Sequence, residues 1–101
     1  MQLHSLKLVT IVAEQALRDQ FVKKILELGA TGCTYEDAQG TGSRGARTND
    51  VFGGNVRIEV ICSEVVAEAI LTYVSHHYFD RCACIAWVID ASVVRGARYV
   101  K

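Results

Sequence analysis

Residues 38–54, A-Q-G-T-G-S-R-G-A-R-T-N-D-V-F-G-G, restrict the possible folds of this chain more than any other stretch. They hold five of its eight glycines, two arginines and several short polar residues. The residues before them (33–39) and after them (55–62) both read as strands. Neighbouring strands usually join through a few residues, and a loop of roughly 12–15 residues without structure of its own is usually functional. Glycines let successive backbone N–H groups turn toward one point, which makes an anion-binding hollow. Arg44 and Arg47 add fixed charge and forked donors that suit phosphate. No helix start follows the glycines, so neither a Walker loop nor a Rossmann turn fits. The expectation is a loop that closes on a phosphorylated or otherwise anionic ligand.

The flanking sequence supplies a fold for that loop. Residues 6–13 (L-K-L-V-T-I-V-A) alternate as a strand with two apolar faces, with Leu8, Thr10 and Val12 on one side and Val9, Ile11 and Ala13 on the other. Residues 14–28 carry Leu17, Phe21, Ile25 and Leu28 at helical spacing, and Gly29 is placed to end that helix. After the strand at 55–62, Ser63 is a helix N-cap, and Val66, Ile70 and Val74 mark a helix to about residue 78. A turn at 80–83 leads to a fourth strand at 84–93. The order β-α-β-β-α-β predicts an α+β, ferredoxin-like domain over residues 1–101, with both helices on one face of a four-stranded antiparallel sheet. Ile85, Trp87 and Ile89 oppose Ala86 and Val88 on the last strand, so the bare face stays apolar and predicts a closed homo-oligomer.

Composition narrows the chemistry. Half the residues are apolar, there is no proline, and the formal net charge is zero. A dedicated nucleic-acid binder would carry a basic excess. No apolar run of membrane-spanning length is present. The first residues lack the pattern of a secretory leader, and a cytoplasmic protein is expected. Cys33 and Cys62 are expected to be buried thiols at strand ends. His76, His77, Cys82 and Cys84 invite a zinc reading, but C-x-C is not the usual ligand spacing. A helix-end histidine pair beside the helix dipole is the plainer account.

With loop and strand order in hand, the chain resembles the PII-like signalling proteins, nearest to the branch associated with carboxysomes and bicarbonate uptake. The segments that carry the likeness are L-V-T-I-V-A, E-L-G-A-T-G-C-T, G-T-G-S-R-G-A-R, N-V-R-I-E-V and Y-F-D-R-C-A-C-I. The resemblance implies a homotrimer with three clefts between subunits. Each cleft would be bordered by the base of the long loop, the T-loop, at about 40–54, and would bind an adenine nucleotide: ADP, AMP, ATP or cyclic AMP. Bicarbonate is a second implied ligand, and a bicarbonate transporter or other carbon-uptake protein is the implied partner. No catalytic residue, metal or cofactor is implied, and the role is regulatory. By position, Gly40, Thr41, Gly42, Ser43, Arg44 and Arg47 match the phosphate-facing loop base. Ile58, Glu59 and Val60 match the strand beside the base pocket, and Ala83, Cys84 and Ile85 match the opposite wall, given by a neighbouring subunit. Cys84 stands where such proteins tend to have glycine, and the tail lacks the paired-cysteine hairpin of the transporter-regulating relatives. Two other readings compete. One is a slow Mg²⁺-dependent nucleotide hydrolase using Glu59 or Asp90; the other is a metal-binding trimer of related fold.

Overall fold

The computed structural model describes residues 1–41 and 54–101. Four strands, β1 (Leu3–Glu14), β2 (Thr34–Ala38), β3 (Asn55–Cys62) and β4 (Ile85–Val94), alternate with two helices, α1 (Arg18–Glu27) and α2 (Glu64–His77). The strands form one antiparallel sheet in the order β2-β3-β1-β4. This is the ferredoxin-like arrangement expected from the sequence, with β1 and β3 in the middle.

Strand pairing explains which side chains share a face. Residues opposite one another in an antiparallel ladder point the same way. Val9, Ile11 and Ala13 lie opposite Val60, Ile58 and Val56. All six are fully buried, in one core with Phe21, Ile25, Ala67, Ile70 and Val74 from the helices. The helices therefore cover the face built from odd positions of β1 and even positions of β3. The other face carries Leu8, Val12, Arg57, Glu59, Ile61, Ile85, Trp87 and Ile89. On that face Ile85 is 58% exposed and Ile89 52%. The bare apolar surface expected from the alternation is present.

Local chemistry sets the helix ends. Ser63 is the N-cap of α2, its Oγ accepting from the Val66 N–H at 3.3 Å. At the end of α1, Gly29 adopts φ +119°, donates to the Leu26 carbonyl at 3.2 Å, and is followed by Ala30 donating to the Ile25 carbonyl at 3.3 Å. These are the two bonds of a Schellman cap, with the buried Ala30 packed beneath the helix end in the same core as Ile25. A Cβ on Gly29 would also stand 3.1 Å from Val66 Cγ2. Gly29→Ala is expected to cost at least about 1–2 kcal/mol, read as a lower denaturation midpoint at unchanged slope. An unchanged midpoint would refute the strain.

The first helix departs from expectation at its start. β1 continues through Glu14, which pairs with Asn55, and the Gln15 N–H donates to the Gly54 carbonyl at 3.0 Å. Residues Gln15–Leu17 then form a short 3-10 turn before α1. Ladder bonds hold the backbone extended where side-chain periodicity alone would begin the helix. The tail, given no secondary structure from sequence, contains a second 3-10 turn over Gly96–Tyr99, entered through Arg95 at φ 61°. Gly96 is buried against His4, and a Cβ there would collide with the His4 side chain.

Candidate functional site

The sequence-predicted residues fall into four groups. Gly42, Ser43, Arg44 and Arg47 lie outside the described residues. Gly40 and Thr41 follow the end of β2, where Ala38 pairs with Asn55. Ala83 and Cys84 lead into β4, whose first residue, Ile85, pairs with Val12. Ile58 and Val60 are fully buried beneath the helices, so their side chains belong to the core. Glu59 between them points to the bare face.

Glu59 is held in place. Arg57 donates to its Oε2 at 3.2 Å, and the Arg57 guanidinium sits 6.0 Å from the centre of the Trp87 ring. On the far side, Thr34 is its partner across the β2–β3 ladder. Glu59 thereby enters the wall of a cleft of about 570 Å³ on the bare face, shared with Thr31, Gly32, Cys33, Thr34, Leu8, Ile61, Arg98 and Tyr99. The cleft offers a carboxylate, two threonine hydroxyls, a guanidinium and a phenol around an apolar floor of Leu8 and Ile61. Such a mixture suits a flat, polar-edged ligand such as a purine with its ribose.

Sequence reasoning places Glu59 beside the pocket through the family resemblance. It misses Tyr99, Thr31 and Thr34. The T-G-C-T run after the Gly29 cap is the available signal, because short polar residues there must begin the edge strand.

The two walls expected for a nucleotide do not meet within one chain. β2 and β4 are the two edges of the sheet, three strand spacings or about 14 Å apart. A ligand touching the loop roots beside β2 and the turn before β4 needs a second chain to bring the latter across. The bare face is the surface through which chains of this shape can associate.

Other titratable groups are accounted for structurally. Lys7 donates to Asp90, and that bond raises the lysine pKa. Asp90 shares the helix-covered face with Lys7, whereas Glu59 lies on the bare face. Within one chain the two carboxylates thus point to opposite sides and cannot share one metal ion, which removes the most direct arrangement for the hydrolase alternative. Burial raises the Cys33 and Cys62 thiols. Cys62 is fully enclosed, as expected, while Cys33 is only half-buried at the cleft. Burial, together with the hydrogen bond that the Tyr73 hydroxyl donates to Tyr78, pushes the Tyr73 phenol to about 12. Among the described residues, no group of three or more His, Cys, Asp or Glu side chains is arranged to hold a metal. Likewise, no helix is long and apolar enough to cross a membrane.

Comparison with known proteins agrees with this architecture. The family described as nitrogen regulatory protein P-II matches residues 6–98. A PII-like signalling protein from Thermus thermophilus is 49% identical, with a TM-score of 0.87 over 99% of this chain and 100% of that one. CPII from Thiomonas intermedia, solved with ADP and bicarbonate, shares the fold at 21% identity, with a TM-score of 0.85 over 97% of both chains. GlnK of B. subtilis, in complex with ATP, matches at 16% identity and a TM-score of 0.58, over 84% of this chain and 82% of that one. The match across nearly the whole chain, with the sheet order and the helix placement, makes this protein a PII-like signalling protein of the P-II family.

Proposed function

We propose that this chain acts as a homotrimeric regulator that senses adenine nucleotides at clefts between subunits and reports their occupancy through the segment at 40–54. The observation that carries the reading is the cleft at Glu59, whose carboxylate is fixed by Arg57 and faces Thr34, Arg98 and Tyr99 on the bare side of the sheet. A fixed carboxylate accepts hydrogen bonds from ribose hydroxyls or an exocyclic amine, and an aromatic ring offers a stacking surface. Gly40, Thr41, Gly42, Ser43, Arg44 and Arg47 would take the phosphates, with Ala83, Cys84 and Ile85 arriving from the neighbour. Support also comes from the Thiomonas protein of the same fold, which holds ADP and bicarbonate. On that ground bicarbonate is the second ligand proposed, and inorganic-carbon uptake in the cytoplasm, through a transporter, is the process proposed. The protein is read as a regulator and not as an enzyme.

A ligand that binds only the folded assembly raises its melting temperature with concentration. AMP, ADP, ATP and cyclic AMP, each with and without bicarbonate, should be compared by thermal shift and calorimetry. At least one is expected to stabilise the protein, and a flat response to all would refute the reading. Arg44→Ala removes a charge-assisted phosphate contact and is expected to weaken the best nucleotide by about tenfold or more. Unchanged affinity would put the phosphates elsewhere.

A further inference from the structure

The turn between α2 and β4 carries two thiols that the nucleotide reading leaves unused as chemistry. All four cysteines are free. Cys62 is enclosed in the core and Cys33 lines the cleft at the other edge of the sheet. Cys82 and Cys84 stand apart from both, half-buried in a bend at residues 82 and 83 that precedes the first ladder residue, Ile85.

We propose that Cys82 and Cys84 form a dithiol that low-molecular-weight disulfides oxidise to an intra-turn disulfide, thereby altering the nucleotide cleft. Consecutive Cα atoms are about 3.8 Å apart, so residues i and i+2 are separated by about 5–7 Å, with bends at the short end of that range. A disulfide needs about 4.4–6.8 Å between Cα atoms. Cys82 is anchored by its N–H donating to the Tyr78 carbonyl at 2.9 Å, while Ala83 and Cys84 belong to no strand or helix, so the ring would be completed by movement of Cys84. The thiols also act on one another: burial first, then the neighbouring Cys82 and Glu14, push the Cys84 thiol up to about 11. Such an environment gives the Cys84 thiolate no stabilisation, so the reduced pair gains nothing from ionisation of Cys84.

The exchange balances without any other reactant. The Cys82 thiolate attacks one sulfur of the small disulfide RSSR and expels RS⁻. Cys84 then loses its proton to solvent and attacks the Cys82 sulfur, expelling the second RS⁻. The protein gives up two electrons and two thiol protons, and RSSR leaves as two RSH.

The position of the turn gives this chemistry its consequence. Glu14, which influences Cys84, pairs with Asn55, and its successor Gln15 is bonded to Gly54. The dithiol thus lies at the end of the sheet where the 42–53 segment is rooted, beside Ile85 at the start of β4. Drawing Cys84 back onto Cys82 moves the residues proposed as the neighbour's wall of the cleft.

The test uses the full chain incubated with oxidised glutathione, alkylated and cut with trypsin. Cleavage after Arg81 and Arg95 yields residues 82–95, which contain both cysteines and neither Cys33 nor Cys62. This fragment is expected to be lighter by two hydrogens than the reduced, unalkylated fragment, and to regain them with dithiothreitol. ADP affinity is expected to fall by about fivefold or more on oxidation. A Cys82→Ser chain, which cannot form the ring, should keep its affinity under the same treatment. A fragment carrying only glutathione adducts or free thiols, one linked to Cys33 or Cys62, or a closed ring with ADP affinity unchanged would overturn the proposal. The inference rests on the nucleotide reading for the affinity measurement alone. If ADP binds neither redox form, that reading fails, and the fragment mass by itself decides whether the ring exists.

Discussion

Ile89→Glu, alone or with Trp87→Glu, is expected to turn the assembly into monomers and abolish stabilisation by adenine nucleotides. Ile89 is 52% exposed on the bare face of the sheet, opposite Leu8. A carboxylate there costs the isolated chain little, because the side chain already meets water. At a contact between chains the same carboxylate would be buried without a partner, at a cost of several kcal/mol for each copy. Repeated around a closed ring, that penalty exceeds what micromolar assembly can withstand. Light scattering with size exclusion should report the mass of one chain, while circular dichroism keeps its folded signature. A variant that stays oligomeric would place the contact on another surface. A variant that becomes monomeric yet still binds nucleotide would show the cleft complete within one chain, against the separation of its walls by about 14 Å.

Phe21→Ala is expected to lose about 3–5 kcal/mol of stability. Phe21 is fully buried on α1, with its ring 4.5 Å from that of Tyr78 and 6.5 Å, edge-on, from that of Tyr73. Truncation removes the ring from this cluster and leaves a void that the sheet is poorly able to close, because the strand residues of the same core, Val9, Ile11 and Ile58 among them, belong to the two central strands. It also weakens the packing that holds the Tyr78 hydroxyl donating to Gln20 Oε1 at 2.9 Å. Since a domain of this size has only about 5–15 kcal/mol to lose, the variant should melt far lower or fail to accumulate. Phe21→Leu, which refills much of the space, should recover over half of the loss. Equal instability of both would mean the contacts of the aromatic ring, and not its volume, are what matters.

The sequence is most readable where local and long-range preferences agree. β3 occupies residues 55–62 as expected, because its alternation, its flanking glycines and its burial all coincide. Ser63 and Gly29 are recognisable as helix boundaries because each performs a task few other residues can. Periodicity alone misplaces the start of α1, since the Glu14–Asn55 pairing and the Gln15–Gly54 bond are invisible to a local reading. The tail is under-read for the same reason: the turn at Gly96–Tyr99 exists because His4, far away in sequence, receives it. Of the candidate site, Glu59 is reached through the family resemblance, with Arg57 two residues away as its partner on the same face. Thr31, Thr34 and Tyr99 are not, because the cleft assembles from four separate parts of the chain. Ile58 and Val60, matched to the pocket by resemblance, contribute their side chains to the core instead.

The pairing of β1 with β4 bears on how the chain acquires its shape. Leu3 lies opposite Val94, so a ladder of ten registered pairs joins the two extremities of the domain. Closing a loop of nearly the whole chain costs more entropy than any hairpin, and proteins dominated by such distant pairings acquire structure slowly. The docking of β4 therefore carries the largest closure cost in the sheet, and in any state where it is undocked the apolar edge of β1 is open to another chain. Covalently linking the two extremities would lower that cost and leave every native pair intact.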